Sequence, residues 1–221
     1  MKTKSKILLL TLCAVALVAA SVLGTLAYLT STDTVTNTFT VGKVAITLDE
    51  AKVNDKGEPI SAAGTTVTNL ADAERVKANS YKLLPGHTYT KDPTVTVLEG
   101  SESSYIRMLV TINEQADLDA IFAPNGGLQL TAFFGGISSN WTLAKETENN
   151  NDTRTYEFRY NETVAAPIAD VALEPLFTSI TVPGTINGDQ LKTIEDLQIT
   201  VVAQAIQAVG FTGAADAWDH F

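Results

Sequence analysis

Ile106, Met108, Val110 and Ile112 occupy every second position of one short stretch, and that spacing commits it to extended structure with one buried face. The same alternation recurs in Val95 with Val97, in Tyr156, Phe158 and Tyr160, in Ile180 with Val182, and in Leu197, Ile199, Val201 and Ala203. Gly, Pro and Asn clusters at 54–59, 84–87, 123–127, 149–152 and 182–189 punctuate these runs. The pattern predicts an all-β fold, an antiparallel jelly-roll-like β-sandwich of about eight to ten strands in one domain. Short helices are expected at Glu114–Ile121 and at Ala214–His220, the latter anchored by Trp218. Arg107 falls on the face opposite Ile106 and Met108, where pairing with a carboxylate is expected.

The other end of the chain obeys different rules. Lys2, Lys4 and Lys6 precede an apolar run from Ile7 to Leu23, the layout of a signal helix for export. Thr25 and Ala27 suit the small-residue positions of a signal-peptidase site, which places cleavage between Ala27 and Tyr28. A cut after Ala20 and an uncleaved anchor are the alternatives. The expected organisation is a signal peptide at 1–27, a leader strand at 28–42 and a β-sandwich domain at 43–221. The protein is then secreted, meeting the membrane only transiently. The single cysteine, Cys13, lies in the apolar run, so the mature chain has neither disulfides nor thiolate chemistry.

Charge and motif content narrow the function. The chain carries a formal charge of −10, and loss of the three lysines takes it to −13. Such a surface argues against binding nucleic acid or anionic lipid. There are two histidines, His87 and His220, and no H-E-x-x-H, G-x-S-x-G or phosphate-binding glycine loop. No catalytic residue, cofactor or metal ligand is assigned. Asp49, Glu50, Asn54, Asp55 and Glu58 surround one turn and offer oxygen ligands for calcium, but the full calcium-loop pattern is missing and a solvated hairpin tip is preferred.

Four stretches carry a family resemblance: GTLAYLTSTDTVTNTFTVGKVAITL at 24–48, LLPGHTYTKDPTVTV at 83–97, SSYIRMLVT at 103–111 and ITVVAQAIQAVGFTGAADAWDHF at 199–221. Together they resemble the TasA/camelysin family of Gram-positive bacteria, and the junction at 24–48 is the most specific of them. The resemblance implies a jelly-roll domain, cleavage by a SipW-type signal peptidase, and a place in the extracellular biofilm matrix or on the cell surface. It further implies self-association into fibres, in which a freed N-terminal strand completes a neighbour's sheet. Camelysin-like members are labelled metallo-endopeptidases; no residues of this chain carry that activity.

Residues 32–41, TDTVTNTFTV, suit the donor role. Val35, Phe39 and Val41 share one face with Asn37, and Thr34, Thr36, Thr38 and Thr40 take the other. Gly42 bends the chain before a strand expected at Val44–Leu48. Ordering ten residues costs roughly 10–15 kcal/mol. Pairing along one edge returns about five hydrogen bonds at roughly 1 kcal/mol each. Burial of Val35, Phe39 and Val41 adds about 5–7 kcal/mol. Donation to a single edge therefore only balances, whereas insertion between two strands succeeds. A flexible leader, or a strand of the protein's own sheet, is the competing reading of this segment. A monomeric binding module using loops at 113–128 and 144–154 is the competing reading of the whole.

Overall fold

The computed structural model describes residues 3–28, 42–123 and 126–221. The chain divides into two compact units between Val41 and Gly42. In the first unit, Thr3–Tyr28 form one helix, α1. The stretch has no proline, and no glycine before Gly24, so nothing breaks it early. Ile7, Leu8, Leu9 and Leu10 are all exposed. Four consecutive residues span a full turn, so this helix is apolar all round and lacks a polar face over that turn.

The second unit is mostly β, with three antiparallel sheets and a few short helices. Among the described residues its strands are β1 (Ile46–Ala51), β2 (Arg75–Val76), β3 (Thr88–Thr90), β4 (Thr94–Val97), β5 (Ser104–Ile112), β6 (Phe134–Gly135), β7 (Trp141–Glu148), β8 (Arg154–Tyr160), β9 (Val171–Ala172), β10 (Ser179–Thr181) and β11 (Ile199–Gln207). Helices α2 (Gln115–Ile121), α3 (Leu130–Phe133), α4 (Gly188–Thr193) and α5 (Ala214–Asp219) fill the connections. The sheets run β2-β1-β4-β9, β3-β10-β6 and β11-β5-β8-β7.

One apolar core joins all three sheets, as in a sandwich. Ile106, Met108, Val110 and Ile112 of β5 are fully buried, and Val95 and Val97 of β4, Ile180 of β10 and Phe134 of β6 belong to the same cluster. Phe134 stacks on Phe177 with ring centroids 4.2 Å apart. The opposite face of β5 is covered in part by α5. Arg107 lies over the Trp218 ring at 4.3 Å and the Phe221 ring at 4.9 Å, donates from Nε to Gln204 and pairs with Glu157 at 3.5 Å. Stacking on an aromatic face needs the planar guanidinium, which is why an arginine suits this half-covered position.

Two strands depart from expectation. The first strand begins at Ile46 rather than Val44. Lys43 and Ala45 still accept backbone hydrogen bonds from Glu102 and Leu98, but Gly100 turns the partner chain away and the regular ladder stops. The expected loop at 144–154 is half strand, because β7 runs on to Glu148 against β8. Every residue of β7 after Trp141 is exposed, so no apolar alternation marks it, and a bulge between Leu143 and Lys145 shifts what pattern there is.

Candidate assembly groove

Among the described residues β11 is an edge strand, and its ladder shows which of its backbone groups face away from β5. Asn113 N–H donates to Gln198 O, and Ala208 N–H donates to Ser103 O. In an antiparallel pair these bonds recur at every second residue. The even positions from 198 to 208 therefore bond to β5, and Ile199, Val201, Ala203, Ala205 and Gln207 turn their N–H and C=O groups away from it. No strand among the described residues pairs with that side. The side chains of Ile199, Val201, Ala203 and Ala205 point toward the core but are only partly buried. Among the described residues the sandwich is thus incompletely closed along β11, in both strand pairing and apolar cover.

The facing wall is built from β1 and the irregular chain between β2 and β3. β2 pairs only with Glu50 and Ala51, so among the described residues the Ile46–Asp49 part of β1 has no strand on that side. Lys77 Nζ donates to the carbonyl of Leu48 there. Between this wall and β11 lie two adjoining clefts of ≈ 390 and ≈ 400 Å³, both lined by Asn79, Lys91, Ile199 and Thr200.

A polar network supports the wall. Lys91 and Glu50 are buried and pair at 2.6 Å. Asn79 donates to Glu50 Oε1 at 2.9 Å and to Ala51 O at 2.8 Å, and its Oδ1 accepts from Val53 N–H at 3.0 Å. Arg75 bridges Asp49 and the buried Asp92, and Asp92 accepts in turn from Ala51 N–H. Burial pulls the Arg75 guanidinium down, but hydrogen bonds and charge from Asp92 and Asp49 outweigh it and the net shift is upward. Burial, reinforced by the charge on Glu50, pushes the Tyr81 phenol well above its ordinary value.

Among the residues singled out in the sequence, Ala27 and Tyr28 are the last two of α1. Val35, Phe39 and Val41 lie outside the described residues. The acidic turn at 49–58 does not converge on one point. Asp49 and Glu50 are held by Arg75 and Lys91, while Asn54 caps its own turn by accepting from the N–H groups of Lys56 and Glu58. His87 contacts Lys56 O at 2.6 Å and sits edge-on to Tyr89; His220 contacts Asp216 O at 2.8 Å. Sequence reasoning missed Asn79 and Lys91 altogether, since each stands in a polar stretch with no periodic signal.

The chain matches no protein-family model, no curated protein and no solved structure. The groove presents a row of outward backbone donors and acceptors along β11, above an apolar row that the described residues cover only in part.

Proposed function

We propose that this chain is a secreted structural protein of the extracellular matrix or cell surface, which assembles when residues 28–41 of one copy add as a strand along β11 of the next. The open edge of β11 carries the reading. It supplies five residues with outward backbone groups and a half-covered apolar row to receive Val35, Phe39 and Val41. The wall formed by Ile46–Asp49 offers a second side. That second side matters, because pairing on one edge only balances the cost of ordering the donor.

α1 fits the export role. Basic residues precede a helix that is apolar all round at Ile7–Leu10, and cutting after Ala27 frees the donor segment. In this reading the sandwich is a jelly-roll of the TasA/camelysin type, and the protein acts by assembling rather than by catalysis. A contact that runs from one copy's terminus to the next copy's edge is heterologous, so it propagates into a filament.

Two measurements test the reading. N-terminal sequencing of the secreted protein is expected to begin at Tyr28. Electron microscopy of that protein is expected to show filaments that vanish when residues 28–41 are deleted. Unchanged filaments from the deleted protein would refute donation.

A further inference from the structure

Glu50, Lys91 and Asn79 hold chemistry that strand addition does not use. Both oxygens of one carboxyl group are engaged: Lys91 Nζ lies 2.6 Å from Oε2, and Asn79 Nδ2 donates to Oε1 at 2.9 Å. Lys91 and Glu50 are 7% and 6% exposed, so water has little access to the amine or the carboxylate. A salt bridge would need only the lysine and the glutamate. Here the Asn79 side-chain amide, whose carbon is an electrophile, is hydrogen-bonded to the same carboxyl group as the lysine. Its orientation is fixed by three hydrogen bonds, because Asn79 Nδ2 also donates to Ala51 O and Oδ1 accepts from the backbone N–H of Val53. The three residues come from β1, from the chain between β2 and β3, and from the position after β3.

We propose that Lys91 and Asn79 become joined by an intramolecular isopeptide bond, with Glu50 carrying the proton. The Glu50 carboxylate takes a proton from the Lys91 ammonium across their short contact and leaves a neutral amine. The amine lone pair attacks Asn79 Cγ, and the Cγ–Oδ1 electron pair moves onto oxygen, where the Val53 N–H stabilises it. Collapse of this tetrahedral centre breaks Cγ–Nδ2. Glu50 returns its proton to Nδ2, the attacking nitrogen loses its second proton to the same departing group, and that group leaves as ammonium. Lys91 and Asn79 remain linked as a secondary amide, one ammonium ion carries off the lysine's positive charge, and Glu50 ends as a carboxylate, so the neutral mass falls by one ammonia. The step needs neither oxidant nor cofactor. Placing both reacting groups on one proton carrier replaces a bimolecular encounter by a positioned one. The cleft beside Asn79 and Lys91 gives ammonium a way out. The bond would tie the irregular wall of the groove to the base of β4.

Intact-mass spectrometry of the folded full chain, followed by tryptic mapping, decides the matter independently of any assembly. The expected mass is lower than the sequence mass by one ammonia, with no cleavage after Lys91 and one branched peptide joining Lys91 to Asn79. Glu50→Gln is expected to keep the full mass and to be cut after Lys91. Asn79→Asp is expected to lose one water where the native chain loses ammonia. A native chain at full sequence mass, or an ammonia loss mapped to another residue, overturns the proposal. A branched peptide that persists in folded Glu50→Gln overturns the assignment of the carrier. Should Glu50→Gln fail to fold, the native mass and the Asn79→Asp chain still decide whether the bond exists.

Discussion

Replacing Ala203 by proline is a sharp test of the open edge, because the ladder register sets opposite outcomes for adjacent residues. Ala203 turns its N–H away from β5, so Ala203→Pro removes no bond within the sheet. Val202 bonds to Leu109 across the ladder, so Val202→Pro removes a bond and strands a carbonyl. The expected cost of Ala203→Pro to the fold is under about 1 kcal/mol, since the edge tolerates the ring and Val202 is already extended. Val202→Pro is expected to cost about 2–4 kcal/mol from the lost bond and the unsatisfied acceptor. Assembly should rank them differently. The ring at Ala203 takes one donor from the middle of the edge and holds the incoming backbone away from its neighbours. A loss of about 2–3 kcal/mol in strand addition raises the critical concentration roughly 30- to 150-fold. Urea denaturation measures the first quantity; sedimentation of polymer against total protein measures the second. If Ala203→Pro assembles at the native concentration while remaining folded, β11 is not the acceptor. If it unfolds as readily as Val202→Pro, the assignment of outward-facing residues is wrong.

Gly57→Ala is expected to destabilise the domain by about 2–4 kcal/mol, from left-handed backbone strain and overpacking together. Gly57 has φ +74°, and an added Cβ would meet the fully buried Tyr89 ring. A urea midpoint unchanged by this substitution would show that the turn relaxes freely. Alkaline pH is expected to unfold the domain from the Tyr81 side of the groove. Burial raises the Tyr81, Tyr89 and Tyr156 phenols above the ordinary value of 10.0. Their stabilisation is full below pH 10.0 and is lost as pH rises through the folded values, because the unfolded chain ionises first. Urea midpoints measured upward from neutral pH should stay level to about pH 10 and then fall, with a shallower fall in Tyr81→Phe. A midpoint that falls already between neutrality and pH 9 would contradict this cause.

Strand legibility followed burial. β5 was readable residue by residue because its alternate side chains are fully buried and its other face is not. The same rule made α5 readable from Trp218, and it put Arg107 on the outer face where Glu157 and Trp218 meet it. β7 was unreadable past Trp141 because none of its later residues is buried, so its pattern carries no record of the sheet it joins. β2, β6 and β9 are two-residue strands, too short for any period to show. The groove was half legible. Ile199, Val201 and Ala203 were seen as a strand row, but not as a row left partly uncovered.

By itself the sequence determined the local facts: an apolar helix behind three lysines, extended segments cut by turns, a strongly acidic surface, and a Thr/Val/Phe segment before Gly42 with the makings of a strand. Periodicity reports which face of an element meets apolar matter, and it holds no information on which neighbour lies beside it. Tertiary structure decided the rest. It placed β11 beside β5, 87 positions apart at Ile199 and Ile112, with no other described strand on the far side of β11. It also brought Glu50, Asn79 and Lys91 to one carboxyl group from three separate stretches. Both outcomes depend on long-range closure of the chain, where the energy lies in pairings between distant residues that no local pattern encodes.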